Sequence, residues 1–257
     1  MTRSLRLVGH EFRYCQKVFW RNPASVFFTV LFPVVLLLIF ATIFGDQPIE
    51  SLDGLTTERY YVPAIVSLAV ISATFTSLGM NVTIAREAGL LKRGRGTPQP
   101  AWVFIAGRVG NSIVVSVLMV VIVTAIGAVL YGAPVPWSTL PLVGLTLVIG
   151  AASFSTLGLA VTALIPSREA APAIVNLITL PLFFLSGIFI PENEIPEGVL
   201  AVSSLFPVRE FFQAFLASFD PSADGAGFPW VSLLAVAAWG LVGLVLAIRF
   251  FRWEPRR

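Results

Sequence analysis

Charge is what this sequence has least of. Of its 257 residues only 12% are Asp, Glu, Lys or Arg, while 56% are hydrophobic. Six apolar stretches run through it, at roughly 24–44, 62–84, 109–131, 140–165, 172–190 and 231–250. Five of them hold no charged residue, and the sixth holds only Arg249, near its end. A membrane-crossing helix needs about 20 predominantly apolar residues. The composition therefore excludes a soluble domain and requires a bilayer as solvent. Lack of ionisable groups in these cores argues against a proton relay or a voltage sensor. It weakens sodium coupling, which carbonyls and hydroxyls alone could still provide, and no inverted repeat is evident.

Other scarcities exclude further classes. One cysteine, Cys15, cannot form an intrachain disulfide. One histidine, His10, rules out a multi-histidine metal site, and no His-Glu-x-x-His run or cysteine pair is present. A Ser-His-Asp set has only that one membrane-edge histidine to draw on. Gly89 to Gly96 superficially resembles a phosphate-binding loop, but it lacks the Lys-Ser/Thr that reaches the phosphates and follows no strand. The net charge of +3 sits on residues spread along the edges of the apolar stretches, which suits anionic lipid headgroups and not nucleic acid. About 23 mixed residues precede the first stretch, unlike a cleavable secretory signal.

What is present orders itself into one all-α integral membrane domain over 1–257. Residues 1–23 form an interfacial helix, 24–190 spans one to five, 191–229 an outer re-entrant segment, and 230–257 span six with a tail. Fifteen of the 17 Lys and Arg fall in segments on one side of the six spans, leaving Arg59 and Arg209 on the other. The positive-inside rule then places both termini in the cytoplasm of a multi-pass inner-membrane protein. The opposite side carries most of the acids, among them Asp46, Glu50, Asp53, Glu58, Glu192, Asp220 and Asp224.

Between residues 3 and 21, Arg3, Arg6, His10, Arg13, Lys17 and Arg21 share a stripe of roughly 80° at helical spacing. Leu5, Val8, Phe12, Cys15 and Phe19 share the opposite one. Such segregation predicts a helix lying on the membrane surface. Asn22-Pro23 should end it. Pro33 and Pro181 sit inside spans one and five, where each removes a backbone donor. The loop at 85–108 begins with a short helical portion, broken by Gly94, Gly96, Pro98 and Pro100. In 190–229, Val199 to Val202 and Phe211 to Phe219 are apolar yet too short to span, which predicts re-entrant helices capping the bundle. Uncharged polar residues and aromatics dot the spans, including Phe75, Asn81, Asn176, Phe183 and Phe184. That lining suits an amphipathic or apolar solute better than an ion.

Four ordered features resemble the membrane-spanning permease of type-2 ABC exporters, in particular drug and lipid exporters of the daunorubicin-resistance type. They are the basic surface helix with Asn22-Pro23; Arg86-Glu87-Ala88-Gly89-Leu90-Leu91-Lys92-Arg93 with Thr97-Pro98 after it; Pro181 to Pro191, reading P-L-F-F-L-S-G-I-F-I-P; and Leu205-Phe206-Pro207 leading into Phe211–Phe219. Leu90 stands where the family more often has threonine. The resemblance covers nearly the whole chain. It implies a transport subunit with no ATPase site of its own, which binds no cofactor while a partner ATPase holds ATP and Mg. Two ATPase copies would dock on Arg86, Glu87, Gly89, Leu90, Leu91, Lys92 and Arg93. A second permease chain, identical or a sister, would complete the pathway, with Phe75, Asn81, Asn176, Phe183 and Phe184 as its lining. The competing readings are a stand-alone secondary transporter or channel, and a membrane enzyme or scaffold.

Overall fold

The computed structural model describes residues 2–44, 56–95, 101–219 and 229–254. Asp46, Glu50, Asp53, Asp220, Asp224, Arg256 and Arg257 lie outside the described residues, as do Gly96, Thr97, Pro98 and Pro100.

The chain opens with α1 (Thr2–Trp20), which packs along the start of α7 (Ala101–Tyr131). Cys15 and Phe19 are buried, while Arg6, His10, Arg13 and Lys17 lie on the more open face, as the two stripes predict. Leu5 departs from its stripe and is exposed. The fit is close: a Cβ on Gly107 would lie 2.6 Å from Cγ of Glu11. Burial pushes the Cys15 thiol up, and the nearby Arg108 guanidinium only partly opposes this. A buried thiol that stays protonated reacts slowly. We therefore expect a maleimide reagent to leave Cys15 of the folded chain unlabelled while labelling an introduced Asn176→Cys, as mass spectrometry would read.

Asn22 ends α1 and caps the next helix: its side chain accepts from Ser25 N at 3.3 Å, with Pro23 at the first helical position. The first span then runs through α2 (Pro23–Val26), a π-helical turn at Phe27–Leu31 and α3 (Phe32–Phe44). Pro33 has no N–H to offer and its ring crowds the preceding turn, so the widened turn sits just before it.

The centre of the bundle is α4 (Thr57–Ile71), a second π turn at Ser72–Thr76, and α5 (Ser77–Glu87). Of the 15 residues in α4, 13 are buried, so this span is wrapped by protein and not lipid. Around it stand α3, α7, α8 (Leu140–Val161) and α11 (Pro207–Phe219). α6 (Leu90–Arg95) follows α5 after a short turn. α12 (Trp230–Phe250) lies against α8 in the most extensive helix pair of the fold. A Cβ on Gly240 would meet the Ser153 side chain, with Ser153 Cβ at 2.8 Å, and one on Gly243 would meet Leu157 N at 2.8 Å. Small residues let two membrane helices touch in this way.

The expected fifth span differs. α9 (Ala170–Leu185) has 16 residues and stops short of the predicted Ile190. Gly187 takes φ +86, which a helix cannot continue through. Pro181 lies inside α9. Among the described residues, five other helical stretches are long and apolar enough to cross a bilayer. α10 (Glu197–Ser203) and α11, which hold the two short apolar runs, meet at a 95° bend. Phe211, Phe212 and Phe215 are fully buried in the core, with the Phe211 ring 5.1 Å from that of Phe154. A Cβ on Gly150 would strike that same Phe211 ring.

Candidate functional site

One end of the bundle gathers the exit of α5, all of α6, the end of α8 and the residues after α12. α5 ends at Glu87, and Gly89 follows with φ +71, the left-handed conformation that closes helices and favours glycine. Ala88 N bonds Ile84 O at 2.9 Å, and Gly89 N bonds Arg86 O at 2.9 Å. The chain turns and starts α6, whose Arg93 N reaches back to Gly89 O at 3.1 Å.

This turn sorts the predicted docking residues into two sets. Arg86, Glu87 and Leu91 point inward. The Arg86 side chain is 1% exposed and donates through Nη1 to Thr162 O at 2.8 Å, through Nη2 to Ile165 O at 2.6 Å, and through Nε to Glu87 Oε1 at 2.7 Å. Thr162 and Ile165 follow the last turn of α8, where free carbonyls concentrate negative partial charge. Arg86 is thus a guanidinium cap on α8, with Glu87 as its counter-charge. Leu91 is buried against Leu78, Val82, Ala85, Leu159 and Ala247. Leu90, Lys92 and Arg93 point outward. Leu90 presents an exposed apolar side chain beside two cations, and Lys92 makes a loose pair with Glu254 at 3.8 Å. The outward set is a short convex knob, apolar at its centre and basic at its rim.

The predicted pathway residues do not converge on one surface. Phe75 sits on the second π turn and is 9% exposed; Phe183 is buried, with its ring 6.3 Å from that of Phe189. Asn81 is half-buried and donates to Ser77 Oγ at 3.1 Å. Asn176 and Phe184 share the outer face of α9 with Leu177 and Leu180, all exposed. Spacing of three and four residues puts them on one stripe. Phe75 instead lines an apolar cavity of about 580 Å³ between α8, α9 and α12. The sequence carried no signal for that cavity, because its walls come from five separate stretches of chain, the central span and the start of α11 among them.

At the opposite end the Ser186–Pro191 turn is pinned. Tyr60 Oη donates to Gly187 O. Glu192 takes Arg209 Nη2 at 2.8 Å and Gln213 Nε2 at 2.7 Å, tying the turn to α11. Among the described residues no cluster of His, Cys, Asp or Glu could hold a metal ion.

These features define a helical membrane protein with a pinned turn at one end of the bundle and a convex knob at the other. The chain belongs to the ABC-2 type transporter family, which matches residues 10–219. It is similar to the inner membrane transport permease YadH of Escherichia coli, 25% identical over 229 residues, covering 88% of this chain and 86% of that one. It is also similar to the daunorubicin resistance ABC transporter permease protein DrrB1 of Streptomyces coeruleorubidus, 28% identical over 239 residues, 90% of this chain and 80% of that one. A shorter match, 26% identical over 152 residues, joins it to the probable multidrug ABC transporter permease YbhR of Escherichia coli, covering 59% of this chain and 41% of that one.

Proposed function

We propose that this chain is the permease subunit of an ATP-driven exporter that moves a hydrophobic or amphipathic solute, such as a drug, lipid or glycolipid, out across the inner membrane. Membership in an ABC transporter family supports an ATPase partner, which holds ATP and Mg. The resistance named for DrrB1 supports outward movement of apolar cargo. Both termini lie in the cytoplasm on the charge argument, so the knob of Leu90, Lys92 and Arg93 faces the ATPase. The whole chain acts as one membrane domain, with α1 at the interface and α10–α11 re-entering from outside.

The observation that carries the reading is the split at the α5–α6 turn. A docking element must present some residues to its partner and anchor others in its own protein. Leu90 enters a groove of the ATPase, Lys92 and Arg93 flank it, and Arg86, Glu87 and Leu91 hold the turn rigid. Two permease chains, identical or paired with a sister, and two ATPases make the working complex. Leu90→Asp with Lys92→Glu and Arg93→Glu is expected to abolish co-purification of the ATPase while the permease melts at its usual temperature, since all three side chains are exposed. Retained co-purification would overturn the assignment.

For the solute, Asn176, Leu180 and Phe184 on the outer stripe of α9 face the space between the two permeases, with Phe75, Asn81 and Phe183 behind them. Cysteines at 176 and 184 should cross-link between protomers with a short bifunctional reagent. Their modification by lipid-dissolved probes in its place would place this stripe at the lipid.

A further inference from the structure

The cavity between α8, α9 and α12 has a polar end and no polar middle. Its walls are apolar from Trp239 to Phe250 on α12, about 16 Å at the helical rise. Thr179 is the one hydroxyl on the wall, and it already donates to its own helix at Val175 O, 2.7 Å away. The Phe206 and Trp239 rings stack 6.4 Å apart at one end. Arg252 stands at the other, the only charged residue on the lining.

Arg252 is placed there by its neighbours. Phe251 leaves α12 with φ −64 and ψ 128, an extended conformation. In extended chain, successive side chains point to opposite sides. Phe251 and Trp253 pack against the Leu91 cluster, their rings 5.0 Å apart and Trp253 6.0 Å from Phe104. Glu254 is drawn to Lys92. Arg252 is thereby turned the other way, onto the mouth of the cavity. Among the described residues it makes no ion pair.

We propose that this cavity binds one acidic phospholipid, with an acyl chain lying along α12 and the headgroup phosphate on Arg252. A volume of about 580 Å³ is within the range of sites that enclose small molecules. A cation without an ion pair among the described residues, at the rim of a slot whose one hydroxyl is already bonded, matches an anionic head on an apolar tail, and matches neither a zwitterionic head nor an apolar solute as well. The site differs from the proposed path between protomers: its α9 wall is Ile178, Thr179 and Leu182 and not the exposed stripe of Asn176, Leu180 and Phe184, and Phe75 alone is shared. The phosphate would sit one residue from Trp253, and so beside the packing that supports Leu91 and the α5–α6 turn.

The test uses the full-length chain, delipidated in a neutral detergent, and needs neither an ATPase nor transport. Native mass spectrometry reads retention of phosphatidylglycerol against phosphatidylcholine with the same acyl chains. We expect the wild type to retain one phosphatidylglycerol with about fivefold preference. Arg252→Gln should erase that preference while the bound-chain count stays at one, and Arg252→Lys should keep it. Leu246→Trp, at an exposed position on the cavity wall, should lower retention of both lipids. An Arg252→Gln chain with undiminished preference would overturn the proposal. So would a Leu246→Trp chain that retains lipid as before, or a wild-type dimer that carries no acidic lipid because a second copy covers the slot.

Discussion

Arg86→Ala is expected to lower the stability of the folded chain by about 3–5 kcal/mol. The guanidinium is all but inaccessible, yet each part of it is used: two carbonyls beyond α8 and one carboxylate receive its three bonds. Removing it strands the Glu87 carboxylate, 12% exposed, with no counter-charge, takes the guanidinium from the buried Ile165 O, and leaves Thr162 O only the long bond from Ile165 N at 3.4 Å. Hydrogen bonds to charged groups are worth about 1.5–3 kcal/mol each, and an orphaned buried acceptor adds its own desolvation cost. Since whole domains are stable by only about 5–15 kcal/mol, the loss should be visible as a large fall in melting temperature in detergent. Arg86→Lys should fall between. A lysine keeps the charge but cannot reach three acceptors in a fixed fork. Arg86→Met with Glu87→Gln should recover part of the loss by removing both charges at once. A wild-type melting temperature for Arg86→Ala would show that the buried cap contributes nothing.

Gly158→Val is the second large effect. At this position α8 meets the swollen π turn of the central span, and a Cβ would stand 2.7 Å from Phe75 O and 3.0 Å from Phe75 Cα. Those are main-chain atoms and cannot rotate aside. Overpacking of this kind costs about 1–3 kcal/mol, and a branched side chain belongs at the top of that range. Gly144 on the same helix supplies the control. Nothing lies within 4 Å of a Cβ there, so Gly144→Ala should be neutral or slightly stabilising through reduced chain entropy. Opposite signs for the two glycines in one melting series would support backbone contact at the π turn. Equal signs would refute it.

Much of this architecture is legible in the sequence, because lipid imposes simple demands. Long uncharged runs mark the spans, and segregated charge marks α1. Asn22-Pro23 marks the break, since capping needs a short polar side chain and proline suits the first helical position. The broken pair α10–α11 is legible from two short apolar runs around Pro207. Other features are hidden for physical reasons. Nothing in Arg86-Glu87 distinguishes a buried cap from an exposed docking charge, because its partners are main-chain carbonyls some 80 residues away. Leu90 and Leu91 look alike, and only the direction of the turn decides which is outside. The π turn at Ser72–Thr76 has no proline to announce it. The early end of α9 depends on the positive φ of Gly187, which an apolar run disguises. Phe75, Asn81, Asn176, Phe183 and Phe184 stand out by polarity or aromaticity, and neither property fixes which face of a helix a residue occupies.

The cap on α8 has a mechanical corollary. A load applied at α6 cannot stay there: the guanidinium passes it to α8, and the glycine seam passes it on to α12. α8 and α12 are joined along their length and tied to α5 by the guanidinium, whereas α9 rests on α5 and the second π turn through the single face of Ala171, Val175, Thr179 and Phe183 and packs little on α8 or α12. On the proposed export function, a stroke from the ATPase would reach the solute as a shear between α9 and the joined pair α8–α12.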